Sequence, residues 1–203
     1  MINTRFRGLS IIFPWHSLFG ALVFLLIPMP GQLLASDETL VTRMQEGGAV
    51  LMIRHAEAPG TGDPAGFSVD DCRTQRNLSA DGRQQAKAIG NWLRAKGIER
   101  ARVYSSQWCR CLETARLMRV GEVRPLPALN SFYQRPQDRE PNIAALRGFL
   151  AEQPPDGALL VLVTHQVTIS ALTGEYTSSG HGVLLSPGEG GTFNLAGKLD
   201  FGQ

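Results

Sequence analysis

Two runs, residues 49–53 (AVLMI) and 159–163 (LLVLV), carry no polar side chain at all. A strand that is apolar on both faces has to be covered on both faces, as happens in the middle of a parallel sheet flanked by helices. The intervening sequence alternates between short apolar runs and amphipathic ones. Residues 80–96 place Ala86, Ile89, Trp92 and Leu93 at helical spacing, with Ser79 as N-cap and Gly97 as stop. Residues 102–104 read as a strand, 109–118 as a helix, 123–126 as a weak strand and 143–150 as a helix. Residues 167–172 form a short helix, and 182–185 and 192–195 are two strands around Pro187-Gly188-Glu189-Gly190-Gly191. This alternation predicts an α/β fold, a three-layer α/β/α sandwich with a mostly parallel central sheet. Neither a repeat nor a linker divides it, so residues 36–203 are expected to form one domain.

The first 35 residues read differently. Arg5 and Arg7 precede a stretch, residues 8–36, without Asp, Glu, Lys or Arg. Its most apolar part is residues 18–27 (LFGALVFLLI), followed by Pro28, Pro30 and the small exit Leu33-Leu34-Ala35. That order predicts a secretory signal peptide, residues 1–35, cleaved after Ala35. The alternative is an uncleaved membrane anchor facing the periplasm, but Pro14, Pro28 and Pro30 interrupt it, and the strongest run is shorter than the ~20 residues a span needs. Either way the domain is exported, with the periplasm as its expected location. Arg5 and Arg7 also account for the whole +2 net charge. The mature domain is near neutral, so its charge does not imply a nucleic-acid partner, and none is expected. At 43% hydrophobic and 19% charged residues, a packed core is expected rather than disorder.

Export gives the three cysteines, Cys72, Cys109 and Cys111, a choice. In an oxidising compartment Cys72 bridges one of the other two more readily than Cys109 bridges Cys111; the alternative is three free thiols.

Ligands in such sheets bind beyond the carboxyl ends of the strands. Residues 49–53 are followed by Arg54-His55-Ala56-Glu57. The strand at 102–104 is followed by Ser105-Ser106, with Arg110 in the next helix's first turn. Residues 159–163 are followed by Thr164-His165-Gln166. One sheet edge thus gathers Arg54, His55, Arg110 and His165. Guanidiniums brought together repel unless an anion resolves the repulsion, and their forks match phosphate oxygens. The expectation is a phosphate pocket that needs no metal and no cofactor. Neighbouring cations also depress an imidazole pKa, keeping His55 neutral and nucleophilic at phosphorus. Arg54, Arg110 and His165 would then hold the equatorial oxygens as charge develops.

These residues resemble the histidine phosphatase superfamily, the phosphoglycerate-mutase-like proteins. Arg54-His55-Ala56-Glu57 is similar to its Arg-His-Gly signature, and residues 77–86 (NLSADGRQQA) to its Leu-Thr-x-x-Gly-x-x-Gln-Ala segment. Residues 105–115 (SSQWCRCLETA) are similar to its Ser-Ser-x-x-x-Arg-x-x-x-Thr-Ala segment, and Val163-Thr164-His165 to its second-histidine strand end. The overall layout is similar to the small exported branch that includes a lipopolysaccharide core heptose phosphatase. The resemblance implies a phosphoglycerate-mutase-like fold, branch 1, and a phosphomonoester hydrolase in which His55 is phosphorylated while Arg54, Arg110 and His165 bind phosphate. Its substrate would be a small phosphoester or a phosphorylated envelope glycan.

Two departures stand out. Ala56 replaces the signature glycine. The Glu acid that follows the middle strand in mutases is missing from Leu129-Asn130-Ser131-Phe132-Tyr133, which argues against a mutase. Glu57, Asp63, Asp70, Asp71, Asp138 and Glu140 are the remaining acids nearby; Glu140 is preferred as proton donor because a substrate lid would lie in its segment. Residues 130–141, with Phe132, Tyr133, Arg135 and Arg139, are expected to line the approach. One alternative is a binder of a phosphorylated glycan or lipid without turnover. A remoter one is a zinc deaminase, since His55-Ala56-Glu57 matches its H-x-E half, although Cys109-x-Cys111 is one residue short of the required pair.

Overall fold

The computed structural model describes residues 1–2, 37–154 and 157–202. The signal-peptide or anchor assignment of residues 1–35 lies outside the described residues apart from Met1 and Ile2.

The two apolar runs form the centre of a six-stranded sheet. Strand β1 (Val50–Arg54) lies parallel to β4 (Leu160–Thr164), with Ile53 opposite Val163 and Arg54 opposite Thr164. Strands β2 (Arg102–Ser105) and β3 (Val123–Pro125) extend the sheet in parallel beyond β4. On the other side β5 (Gly182–Pro187) pairs antiparallel with β1, and β6 (Phe193–Leu199) antiparallel with β5. The order is β3-β2-β4-β1-β5-β6. The helices are α1 (Asp37–Glu46), α2 (Ala80–Ala95), α3 (Cys109–Met118), α4 (Arg139–Ala151) and α5 (Gln166–Thr173).

Side chains alternate along β1 and so feed two cores. Leu51 and Ile53 pack with Leu40, Ile89, Leu93 and Met118 from α1, α2 and α3. Val50 and Met52 pack with Leu146, Leu150 and Ile169 from α4 and α5. All four β1 side chains are fully buried. At roughly 1.5–3 kcal/mol for each such side chain, this strand anchors both halves of the molecule. The three-layer, mostly parallel architecture expected from the sequence is the one observed.

Local signals act as anticipated in α2, where the Ser79 hydroxyl accepts the Gly82 N–H at 2.9 Å. Gly82 also has a packing role: a Cβ there would collide with the backbone of Glu57, so glycine lets α2 press against the loop that follows β1. Helix α4 starts at Arg139, four residues ahead of the expected 143, and α1 was not anticipated. Among the described residues no helix is long and apolar enough to cross a membrane.

Candidate active site

Arg54 is the last residue of β1 and His55 the next. His165 follows β4 as the N-cap of α5, and Arg110 lies in the first turn of α3. Because β1 and β4 are adjacent and in register, their C-terminal ends hold the two imidazoles together, with ring centroids 5.5 Å apart and planes inclined by 70°. Arg54, His55, Arg110 and His165 line one cavity of about 210 Å³. The positive ends of α3 and α5 abut the same residues, which favours an anion there.

The tautomer of His55 follows from its partner. His55 Nδ1 lies 2.8 Å from the Ala56 carbonyl oxygen, which can only accept. The proton of the neutral ring therefore sits on Nδ1, and Nε2 keeps its lone pair. The His55 pKa is pushed down to about 3: burial is the largest cause, followed by the charge of Arg110, with Arg76 and Arg54 adding less and the Ala56 hydrogen bond opposing. His165 is held well below its ordinary value, again by burial first and Arg110 second. Burial thus outweighs the cation effect anticipated from the sequence, although both act in the expected direction. His165 Nε2 is positioned 2.9 Å from the Ser106 hydroxyl, which in turn donates to Asn130 Oδ1 at 3.2 Å.

The guanidiniums are differently engaged. Arg54 donates from Nη1 to the Thr177 carbonyl at 3.1 Å, and its Nε is buried without a partner. Arg110 is paired with Asp63: Nη1 donates to Oδ1 at 2.7 Å and Nη2 to Oδ2 at 3.1 Å, with both side chains 3% exposed. Arg110 Nε is buried and unpartnered. A third guanidinium, Arg76, also lines the cavity and donates to the Gly62 and Ala58 carbonyls, so bracing the loop after β1. Its pKa is lowered by burial first and by Arg110 second.

Residues 50–132, which carry the first three motifs, match the family model of the histidine phosphatase superfamily (branch 1). Over those residues the chain is similar to that family. The fold agrees with solved structures at low sequence identity. The protein histidine phosphatase SixA complexed with tungstate is 19% identical with a TM-score of 0.56, over 75% of this chain and 97% of that one. A mycobacterial glucosyl-3-phosphoglycerate phosphatase, Rv2419c with inorganic phosphate, is 17% identical with a TM-score of 0.55, over 72% and 93%. The alpha-ribazole phosphatase from Shigella flexneri is 16% identical with a TM-score of 0.55, over 75% and 96%. Curated protein sequences offer no match to the chain.

Several expectations for the site need correction. Glu140 does not line the cavity; it sits exposed in the first turn of α4, paired with Arg139. The lid expected around it is a 3-10 turn running straight into α4, so its carboxylate faces solvent. Of residues 130–141, Ser131, Tyr133 and Gln134 reach the cavity, whereas Phe132 is buried in the fold and Arg135 stacks over Phe67. Asp63, considered only as one of several loop acids, is the only carboxylate among the described residues that line the cavity. Arg76 was missed because it follows a loop rather than a strand. The disulfide joins Cys72 to Cys109, leaving Cys111 free and buried, its thiol pushed up to about 12 by burial. A bridged Cys109 has no thiolate to offer, which removes the zinc-deaminase alternative. Ala56 fits the turn without strain: its side chain is fully buried and its N–H donates to the Thr114 hydroxyl.

Proposed function

We propose that the enzyme hydrolyses a phosphomonoester through a phosphohistidine on His55. The observation that carries this reading is the neutral imidazole with its Nε2 lone pair free, set in a small cavity lined by three guanidiniums. In the first step the Nε2 lone pair forms an N–P bond as the P–O bond to the leaving group breaks, and the departing oxygen takes a proton from solvent. Arg54 and Arg110 donate to the equatorial oxygens as charge spreads over them, with His165 lining the same cavity beside His55. In the second step water attacks phosphorus, the N–P bond breaks back to Nε2, and the water's proton is lost as phosphate leaves. The guanidiniums supply the positive charge, and no metal or cofactor takes part.

The Cys72–Cys109 bridge supports an oxidising compartment, and with the leader it supports an exported, periplasmic enzyme. The layout shared with exported heptose phosphatases supports a sugar phosphate or other envelope phosphoester as substrate. The decisive experiment uses p-nitrophenyl phosphate, whose leaving oxygen departs with little protonation. Wild-type protein should release nitrophenol and, when quenched with radiolabelled substrate, carry acid-labile, base-stable label. His55→Ala should do neither while melting like wild type. Label or substantial turnover in that variant refutes the nucleophile, and phosphate binding without turnover in wild type would make the chain a binder.

A further inference from the structure

Asp63, the carboxylate that lines the cavity, is heavily engaged. Its side chain receives four donors: Arg110 Nη1 and Nη2, the Trp108 indole N–H at 3.0 Å and the Arg76 backbone N–H at 3.0 Å. Its own backbone is clamped by Gln134, whose Oε1 accepts the Asp63 N–H at 2.7 Å and whose Nε2 donates to the Asp63 carbonyl at 3.1 Å. Burial alone would raise the carboxyl pKa, but the bonds and charge of Arg110 lower it overall, so Asp63 is an anion and cannot be the proton donor.

The donors that Asp63 leaves free decide its role. A guanidinium has five N–H groups. Arg110 Nη1 spends both of its own, on Asp63 and on the Arg76 carbonyl at 3.2 Å. Nη2 spends one on Asp63. The second Nη2 proton and the unpartnered Nε proton remain, and they lie on one edge as a two-donor fork. An anion can therefore bind Arg110 without displacing Asp63. Charge agrees with this arrangement: Arg54, Arg76 and Arg110 against Asp63 leave the lining with two net positive charges. That complements a monoester, which carries about −1.5 to −2 at pH 7.

We infer that Asp63 is a positioning residue of the reaction, holding one end of Arg110 so that the opposite Nε/Nη2 edge is presented to the phosphoryl group. The inference rests on the phosphatase reading above. Arg110 is also the arginine that acts most strongly on both imidazoles, so its aim matters more than that of its neighbours.

The test combines Asp63→Asn, Arg110→Ala and the double variant, measured by p-nitrophenyl phosphate turnover, orthovanadate calorimetry and thermal melting. Asp63→Asn should lose about 10- to 100-fold in kcat, as expected when a catalytic donor is misplaced by about 1 Å, with KM changed less than kcat. Orthovanadate affinity should fall in parallel. In the Arg110→Ala background, Asp63→Asn should cost nothing further. Near-wild-type kcat, losses that add in the double variant, or tighter orthovanadate binding would overturn the inference; the last outcome would make Asp63 a plug that competes with phosphate. If wild type binds orthovanadate but turns nothing over, the hydrolase reading fails while the orthovanadate arm still decides the role of Asp63. Should Asp63→Asn not fold, Asp63→Glu, which keeps the charge and shifts it by one methylene, carries the same expectations.

Discussion

The backbone N–H of Ala56 donates to the hydroxyl of Thr114 at 3.0 Å. That hydroxyl donates onward to the Arg110 carbonyl at 2.7 Å, so one buried oxygen joins the residue after the nucleophile to the helix that carries the phosphate fork. Thr114→Val keeps the shape but leaves the Ala56 N–H and the Arg110 carbonyl without this partner. The expected cost is about 1–3 kcal/mol, read as a lower denaturation midpoint, together with reduced kcat. An unchanged midpoint would show that the bond carries no net stability.

The disulfide closes a loop with a sequence separation of 37, from the segment that contains Asp63 and Arg76 to the residue before Arg110. Loop-closure entropy puts its contribution at about 3–4 kcal/mol. Replacing both cysteines by serine should lower the melting temperature and reduce kcat/KM, since the Asp63 clamp depends on that loop. A variant that melts lower yet keeps full kcat/KM would uncouple the bridge from the site.

Both imidazoles are buried neutral, and this sets a pH dependence of stability. His55 has a folded pKa near 3 against an ordinary value of 6.5, so below 6.5 the unfolded chain binds a proton that the folded one refuses. His165 acts in the same direction. Stability is therefore complete above pH 6.5 and declines as pH falls toward about 3, by up to about 1.4 kcal/mol per pH unit for each group. Denaturant titrations at stepped pH should show this decline, and it should be smaller in His55→Ala. A flat profile from pH 6.5 to 4 would contradict the burial of neutral rings.

Gly82 presses against the Glu57 backbone, where a methyl group has no room. Gly82→Ala should destabilise by roughly 1–3 kcal/mol through forced displacement of the loop after the nucleophile. Gly148→Ala, in open space on α4, is the control and should be neutral or stabilising. Equal melting of the two variants would remove the close approach as an explanation.

Chelators should leave turnover unchanged, since guanidiniums, not a cation, face the phosphoryl group in the proposed mechanism. Loss of activity on dialysis against a chelator, with recovery on adding a divalent metal, would contradict the proposed mechanism.

The strands and the residues at their ends are readable because they depend on local pattern. Fully apolar runs announce β1 and β4, and the residue after a strand in a parallel sheet must lie at the sheet's carboxyl edge. Helix α1 escapes because its Leu40, Val41 and Met44 come directly after residues read as a separate leader, although Asp37 and Glu38 in its first turn are a start signal. Asp63 and Arg76 are not legible as a working pair, because their meaning depends on a loop folded back by Trp108, Gln134 and the disulfide, none of which is a neighbour in sequence. The proton donor fares worst: Glu140 is favoured only by its position along the chain, and the helix it starts turns it outward.

The register of Arg54 against Thr164 has a practical meaning for anyone wishing to retarget the enzyme. The spacing of its two imidazoles is a property of neighbouring strands, about 4.8 Å apart in any sheet, and owes nothing to the loops around the mouth. Single changes at Thr61, Tyr133 or Tyr176 can therefore be tried against new phosphoesters, with Asp63 and Gln134 kept and the reactive pair left standing on its two central struts.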